Sequence, residues 1–341
     1  MSFSNSGGKF IISLDFELMW GIRDIVTIDM YGQHIVGVHE AIPKMLACFQ
    51  RHDIKATFAT VGMLFFETKE SLLQNLPKKK PNYKVANLSP YGDYIHRKVG
   101  NDYKTDPYHF APELIRMIQN TPGQEIGTHT FSHYYCLEQW QTVDDFRDDL
   151  QAAMAAAKKN GISITSIVFP RNQFNTNYLE VCKEAGIITY RNNEESWLYN
   201  ARSGEKENLL RRAFRLVDAY INLTGYHCYT EEYMLAKFPV NIPSSRFLRP
   251  FISRLEFLDW LRLRRIKKSM THAAKNNLMY HLWWHPHNFG TNQLENFAFL
   301  EEILVHYRYL HEKYAFKSYT MTELAKELIS KQDHLKLSYT K

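Results

Sequence analysis

Two pairs of residues in this 341-residue sequence have types and spacing suited to metal chemistry. Asp15 and Glu17 follow an apolar stretch and are two positions apart, so both carboxylates point to the same side of an extended strand. His129 and His133 are four positions apart, and two such histidines bind one metal ion if they lie on a helical turn. Taken alone, each pair also has a simpler interpretation: a charged strand end, or two unrelated surface histidines.

A third cluster is richer in histidine. The segment 281–287 reads His-Leu-Trp-Trp-His-Pro-His and begins within an apolar stretch. In extended geometry, His281, His285 and His287 share one face. The three clusters supply two imidazoles and a carboxylate, the ligand set of a catalytic zinc-type site, and leave an acid and a histidine for base and acid roles. The sequence has no Ser nucleophile elbow, P-loop or GxGxxG, so metal-activated hydrolysis is the economical prediction.

The pattern of apolar residues predicts elements that bring these clusters together. Strands are predicted at 10–16, 55–61, 124–130, 164–170, 187–191, 278–284 and 316–319. Helices are predicted at 38–51, 112–119, 142–160, 176–185, 295–312 and 321–330. Strands that alternate with helices predict an α/β fold with a parallel sheet or barrel, whose active site forms at the C-terminal ends of the strands.

The basic residues are concentrated in one segment. The formal net charge is +6, and residues 201–275 hold 15 lysines and arginines against 7 acidic residues, a balance of +8. We interpret the chain as one domain, 1–341, with a basic insertion at 201–275 and a second insertion or long loop at 65–110. Charge alone suggests a nucleic-acid binder, but the sequence has no recognisable motif for one, so no nucleic-acid partner is predicted.

Within the basic insertion, residues 251–270 have helical periodicity. The apolar stripe consists of Phe251, Ile252, Leu255, Leu258, Leu263, Ile266 and Met270. The opposite side carries Arg254, Arg264, Arg265, Lys267 and Lys268, and Phe257 and Trp260 lie among the basic residues. Aromatic and basic side chains together suit an interfacial helix beside lipid phosphates, and so predict peripheral membrane association. The alternative is an ordinary core helix with a solvated basic face.

The expected compartment is the cytoplasm. No run of about 18 apolar residues exists, so no transmembrane helix is predicted. The first strand begins too early for a signal peptide to precede it. The four cysteines are widely spaced with no CxxC, and reduced thiols are the simplest account of them.

The order of these motifs resembles that of the polysaccharide deacetylases, the NodB-like carbohydrate esterases. Ser13-Leu14-Asp15-Phe16-Glu17 is similar to the family's acidic motif with one spacer residue, and His129-Thr-Phe-Ser-His133 fits the His-(Ser/Thr)-x-x-His motif. Phe169-Pro170-Arg171-Asn172-Gln173 resembles the arginine motif that forms one wall of the groove, and Trp284-His285-Pro286-His287 resembles the late histidine motif. The resemblance implies an irregular (β/α) barrel of seven or eight strands.

The resemblance also assigns roles to these residues. It implies that Asp15 is the catalytic base, that Arg171 orients Asp15, and that His285 is the general acid. It implies a divalent metal ion on three ligands, Glu17, His129 and His133. Zinc is the default metal, and nickel, cobalt and iron suit the same ligands.

Several features depart from the family pattern or stay open. Glu17 replaces an aspartate, and Asn193 stands where the family has the acid that tunes the catalytic histidine, so Glu194 or Glu195 is expected to serve instead. His287 is a rival of His285 for the acid role. The candidates for an apolar floor under the acyl group are Trp20, Trp197, Trp283 and Trp284, each with core packing as the alternative.

The expected function is the metal-dependent removal of an N-acetyl group from an amino sugar. In the cytoplasm, the substrate would be a nucleotide- or polyprenyl-phosphate-linked precursor of bacterial surface polysaccharide, because arginine suits its phosphates. A deformylase or another amidohydrolase of the same fold is the first alternative. A carbohydrate-binding barrel without enzymatic activity is the second. The oligomeric state is not predicted.

Overall fold

The computed structural model describes residues 7–200 and 209–339. Its strands are β1 (Lys9–Phe16), β2 (Ala56–Thr60), β3 (Gln124–Thr128), β4 (Ser166–Val168), β5 (Thr189–Arg191), β6 (Val240–Asn241), β7 (Arg246–Phe247), β8 (Met279–Trp284) and β9 (Lys317–Tyr319). The α-helices are α1 (Ile28–Val36), α2 (Val38–Arg51), α3 (Lys69–Gln74), α4 (Asp93–Arg97), α5 (Pro112–Asn120), α6 (Val143–Lys159), α7 (Leu179–Glu184), α8 (Leu209–Tyr220), α9 (Glu231–Leu235), α10 (Asp259–Lys275), α11 (Gln293–Tyr314) and α12 (Met321–Tyr339).

All strand pairs of the described sheet are parallel, and the sheet curls into an irregular barrel. The strand order is β6-β5-β4-β3-β2-β1-β8-β7, and β9 pairs with the beginning of β1. The chain between β6 and β7 joins the two edges: Ser244 donates its backbone N–H to Asn192 O (2.8 Å), and Ser245 donates to His281 O (2.8 Å). The predicted α/β barrel is therefore confirmed.

The segment 201–275, predicted to be a basic insertion, contains two strands of the sheet. Residues 201–208 lie outside the described part of the chain, but β6 and β7 are strands of the barrel, and α10 packs against it with Ile266 and Met270 buried. Neither β6 nor β7 was predicted, because a strand of two residues is too short to show an alternating pattern. The segment 65–110, in contrast, contributes no strand to the described sheet and lies between β2 and α5.

The predicted helix over 251–270 begins late and faces differently than expected. It starts at Asp259, and Arg265, expected on the solvated side, is 4% exposed. Arg265 donates to Gly225 O (2.6 Å) and to Ser269 Oγ (3.1 Å). Arg262 is buried too, and it donates to Arg249 O (2.7 Å). Two of the basic residues are therefore buried, because their guanidinium groups donate to backbone carbonyl groups of neighbouring loops.

Alternation along the strands separates an outer core from the barrel interior. On β1, Phe10, Ile12, Leu14 and Phe16 belong to the large apolar core beneath the helices, whereas Ile11 belongs to a second, smaller core. Ser13 and Asp15 share the face of Ile11 because successive side chains alternate. The interior is therefore apolar near the start of β1 and polar near its end.

Two further observations concern thiols and membranes. The four cysteines lie in the described part of the chain and are free thiols, three of them buried. Among the described helices, none has both the length and the apolar character needed to cross a bilayer.

The turn that follows β8 is fixed by close backbone packing against the junction of α1 and α2. A Cβ atom on Gly37 would lie 1.9 Å from the carbonyl oxygen of Gly290, and one on Gly290 would lie 1.8 Å from that of His34. Backbone atoms cannot move away as a side chain can, so only glycine fits at either position. The packing holds the turn Pro286–Phe289 against the barrel.

We expect Gly37→Ala to lower the free energy of unfolding by about 1–3 kcal/mol, because overpacking against backbone forces the turn to shift. Thermal and urea unfolding of the full chain measure the change. Val36→Ala, at the exposed neighbouring position, is the matched control and should leave stability nearly unchanged. An unchanged unfolding midpoint for Gly37→Ala would contradict the packing argument.

Candidate active site

The site is built around two carboxylates at the end of β1. Asp15 is the penultimate residue of the strand and Glu17 follows it, and both are 3% exposed. Glu17 Oε2 lies 3.0 Å from His133 Nε2 and 3.4 Å from His129 Nε2. The structure thus brings together the three predicted metal ligands, whose donor atoms all lie within 4.8 Å of one another.

The two histidines do not lie on a helical turn, contrary to the geometry that their spacing suggested. His129 directly follows β3, and the backbone then enters the left-handed region at Thr130 (φ 63°) and His133 (φ 60°). Each such residue costs about 1–3 kcal/mol unless its surroundings enforce the conformation. The tight loop turns both imidazoles toward Glu17.

Asp149 on α6 enforces that loop. It is fully buried, and its carboxylate accepts hydrogen bonds from Phe131 N (2.7 Å), from Ser132 N (3.2 Å) and from the Ser132 hydroxyl. Burial raises the pKa of Asp149 to about 6, while these donors pull it down. One sequence feature could have indicated a structural role for Asp149: it is an acidic residue on the apolar face of a predicted helix.

The three-residue group fits a divalent cation. His129 Nδ1 donates to Val168 O (2.9 Å), which leaves Nε2 as the atom that faces Glu17. Apart from the nearby Glu17 Oε2, the buried Nε2 atoms of both histidines have no hydrogen-bond partner. Burial lowers the pKa of His133 to about 4, and the surrounding imidazoles hold the pKa of Glu17 well below its ordinary value although burial opposes this. Neutral imidazoles and an ionised carboxylate are the forms that bind metals.

A second group with three potential donors lies outside the barrel, at Cys48, His52 and Glu301. Its carboxylate is already occupied. Glu301 lies 2.7 Å from His52 Nε2 and accepts from Arg51 Nη2 (2.9 Å). Because a guanidinium would repel a metal ion at this position, we assign no metal to this group.

Arg191, and not the predicted Arg171, orients Asp15. The Arg191 guanidinium donates to both carboxylate oxygens of Asp15, at 2.7 Å each. Burial alone would raise the pKa of Asp15, but Arg191 holds it below its ordinary value. Arg171 instead pairs with Asp24 and lies over the Tyr135 ring at 4.3 Å. It forms part of the wall near the histidines, and its charge contributes to lowering the pKa of His133.

Strand alternation explains why Arg191 reaches Asp15. Arg191 ends β5, and Tyr190 before it packs in the outer core, so Arg191 points into the barrel. There it also donates to Ser13 Oγ (2.9 Å), and Ser13 Oγ lies 2.8 Å from His281 Nε2. Burial lowers the pKa of His281 to about 3, so this imidazole is neutral near pH 7. The sequence feature that could have indicated this role is the position of Arg191 at the end of a predicted strand.

His285 and His287 lie beside the carboxylates in different environments. His285 Nε2 is 3.8 Å from Asp15 Oδ2 and 3.7 Å from Glu17 Oε1, and its side chain is 23% exposed. The His287 ring stacks on that of His285 at 4.9 Å but is buried. Burial, and then the charge of His285, lower the pKa of His287 to about 3. His285 therefore lies at the accessible side of the site.

Of the four tryptophans considered for the acyl pocket, Trp283 alone contacts Arg191 and His285 among the described residues. Its ring lies 4.3 Å from the Arg191 guanidinium and 5.7 Å from the His285 ring. Trp20 and Trp284 are fully buried: Trp20 donates to His109 O (2.8 Å), and Trp284 packs against Phe49 in the outer core. Trp284 alternates with Trp283 on β8 and so points out of the barrel.

Trp197 and the acidic pair before it do not join the site through any described contact. Trp197 is 63% exposed. Glu194 is buried, and the backbone of Glu195 donates to Tyr229 Oη (3.1 Å). Asn193 donates to Asn172 O (3.0 Å). Among the described residues, the carboxylates that lie near His285 are Asp15 and Glu17.

Comparison with known proteins supports the family resemblance. Residues 26–190 match the family model described as polysaccharide deacetylase, and this range includes His129, His133 and Arg171. No curated protein matches the sequence. The resemblance to the polysaccharide deacetylase family is thereby confirmed.

Solved structures with the same fold support the architecture. A candidate polysaccharide deacetylase from Mycobacterium smegmatis aligns over 97% of this chain and 94% of its own, at 14% identity and a TM-score of 0.62. PuuE allantoinase aligns over 93% and 89%, at 12% identity and a TM-score of 0.54. A further candidate deacetylase, from Pseudomonas aeruginosa PAO1, aligns over 93% and 89%, at 11% identity and a TM-score of 0.53. At these identities the comparison establishes the fold alone.

We expect Asp149→Asn to weaken metal binding by about 10–100-fold, because an amide cannot accept all three hydrogen bonds that shape the ligand loop. Titration of the metal-free full chain with zinc, followed by calorimetry, measures the affinity. Asp148→Asn is the matched control, because this half-buried carboxylate on the same helix bonds to Lys79 N and not to the ligand loop; it should bind zinc like the unaltered chain. Equal affinities for the two variants would show that Asp149 does not shape the loop.

Proposed function

We propose that this chain is a metal-dependent N-deacetylase of an amino sugar. The observation that carries the proposal is that two neighbouring carboxylates, Asp15 and Glu17, have different partners. Glu17 faces two imidazoles whose Nε2 atoms lack other partners, whereas Asp15 is paired with Arg191 and faces His285. One setting supplies metal ligands and the other supplies a base with an acid beside it, as the hydrolysis of an amide requires.

Glu17, His129 and His133 would hold the metal ion. When bound there, a divalent cation supplies Lewis acidity toward an amide carbonyl and lowers the pKa of water. Asp15 accepts the proton of the attacking water, and it remains ionised for this role because Arg191 stabilises the carboxylate. Arg191 also fixes the carboxylate in one orientation, since the two parallel bonds leave it no freedom to rotate.

His285 donates a proton to the departing amine, without which the tetrahedral adduct would revert to the amide. We favour it over His287 for two reasons. His285 is the more exposed ring, and burial lowers the pKa of His287 so far that this imidazole does not carry a proton near neutral pH. His287 supports the His285 ring by stacking.

The proposed substrate is an N-acetylated sugar joined to a nucleotide or to a polyprenyl phosphate, as a precursor of bacterial surface polysaccharide in the cytoplasm. The catalytic groups are buried, so only a small acyl group reaches them, beside Trp283. Arg171, which is 25% exposed at the wall, has the chemistry to meet a phosphate. The free cysteines accord with a reducing compartment.

A deformylase is the second candidate, because a formyl group needs less room and the same proton transfers. The acyl group that is released separates the two, so the assay should measure both acetate and formate. A carbohydrate-binding barrel without activity is disfavoured by the presence of base, acid and ligand groups in one place. Zinc remains the default metal, with nickel, cobalt or iron as alternatives.

We expect the full chain to bind one equivalent of metal and to release acetate from N-acetylated nucleotide- or lipid-linked sugars. His129→Ala and His133→Ala should each lose both metal and turnover, because each removes a ligand. Asp15→Asn should keep the metal but lose about 10²–10⁴-fold in rate, because only the base is removed. Metal analysis and acetate release are measured on the same samples, with the exposed His96→Ala as control. Stoichiometric metal and normal rate in either ligand variant would refute the proposal.

The assignment of the acid can be tested with two leaving groups. His285→Ala should lose about 10²–10⁴-fold toward the amide substrate but little toward 4-nitrophenyl acetate, because nitrophenolate departs without a proton. His287→Ala, which removes only the stacked neighbour, should affect both substrates by less than about tenfold. If His287→Ala shows the selective loss of amide hydrolysis and His285→Ala does not, the acid is His287.

A further inference from the structure

Helix α8 turns an apolar face to the solvent. Leu210, Phe214 and Val217 on the helix, and Ile221 just after its last residue, recur at the spacing of one helical face, and each is between 43% and 67% exposed. We call these four residues the α8 stripe. A surface helix of a soluble protein normally presents its polar side outward and buries its apolar side. Here the stripe has the opposite orientation, which marks an interaction surface.

The polar side of α8 is the side attached to the protein. Asp218 is fully buried, and it accepts from Tyr199 Oη (2.7 Å) and Arg246 Nη1 (2.6 Å). Arg211 is buried as well, and it donates to the carbonyl groups of Trp197 and Asn200. These bonds fix the rotation of the helix about its axis, so the stripe cannot turn inward without breaking buried ion pairs.

Further apolar side chains are exposed on the segments that adjoin α8. Trp197 is held at the first turn of the helix by the bond from Arg211, and Leu223 follows the last turn. Phe257 and Trp260 are exposed at the beginning of α10, which packs against α8. Tryptophan beside aliphatic residues is typical of a surface that sits in the interface of a bilayer.

Positive charge accompanies this apolar surface. The exposed basic residues of α8 and of the region of α10 are Arg212, Arg254, Arg264, Lys268 and Lys275. A groove of about 600 Å³ runs along the outer face of α10 and is lined by Trp260, Arg264, Lys268 and Tyr226, among others. The one carboxylate that is exposed in 251–275 is that of Glu256.

We propose that the α8 stripe and the basic groove of α10 dock this protein onto an anionic lipid membrane. The stripe and the adjoining aromatic residues enter the headgroup region, and the cations meet lipid phosphates. A second copy of the chain fits less well, because it would cover the apolar stripe but supply no phosphate groups for the exposed cations. The docking surface does not depend on the proposed reaction.

The test is co-sedimentation of the full chain with vesicles of phosphatidylcholine, alone or mixed with phosphatidylglycerol. We expect binding to the mixed vesicles that weakens as salt is raised. Phe214→Gln with Ile221→Gln should lower the partition coefficient by at least about tenfold, because two inserting side chains are lost while helix propensity is kept. Leu294→Gln, which changes an exposed leucine on α11, is the matched control and should bind normally.

The electrostatic contribution has its own pair of variants. Arg264→Gln with Lys268→Gln should weaken binding by about fivefold per charge, whereas Lys158→Gln with Lys326→Gln, two exposed lysines elsewhere, should not. Circular dichroism and hydrolysis of 4-nitrophenyl acetate report whether each variant is folded. The absence of binding to both vesicle types would overturn the proposal. So would a stripe variant that turns a dimer into a monomer without a change in lipid binding, since the stripe would then be an interface between copies.

Discussion

The cost of burying negative charge governs this site. Removing an ionised carboxylate from water costs several kcal/mol even after the protein relaxes, and Asp15 and Glu17 are both buried inside one barrel. Arg191 compensates Asp15 with a permanent charge and two hydrogen bonds. Glu17 faces imidazoles instead, and burial keeps that of His133 neutral near pH 7. The two neighbouring carboxylates therefore differ: Asp15 is neutralised by a guanidinium, whereas Glu17 faces two imidazoles.

Local patterns were sufficient to predict the elements that carry most of the site. The periodicity predicted α2 with its observed bounds, and it predicted the strands that deliver Asp15, His129 and His285. The pairing of Asp15 with Arg191 was not predictable, because it joins residues 176 positions apart and depends on where β5 lies in the curled sheet. The resemblance to a family offered Arg171 instead, since a motif identifies residue types and not which of two arginines reaches the carboxylate.

The ligand loop shows the same limit at shorter range. The spacing of His129 and His133 correctly paired them, but it suggested a helical turn where the backbone is left-handed at two residues. Asp149, which lies on helix α6, enforces that geometry. Its hydrogen bonds to the loop offset the conformational free energy that the left-handed residues cost. Sequence therefore predicts the donor atoms of a metal site more readily than the supports that aim them.

The net charge of the chain overstates the positive charge that the basic segment 201–275 exposes to a partner. Four of its arginines, at positions 211, 246, 262 and 265, are buried and bond to carbonyl groups or to Asp218. Their hydrogen bonds and ion pairs attach α8 and α10 to the rest of the protein. The apolar side of α8 faces outward because the buried polar residues of this helix, Arg211 and Asp218, bond to the rest of the protein. The exposed cations and the exposed apolar stripe are thus two consequences of one arrangement.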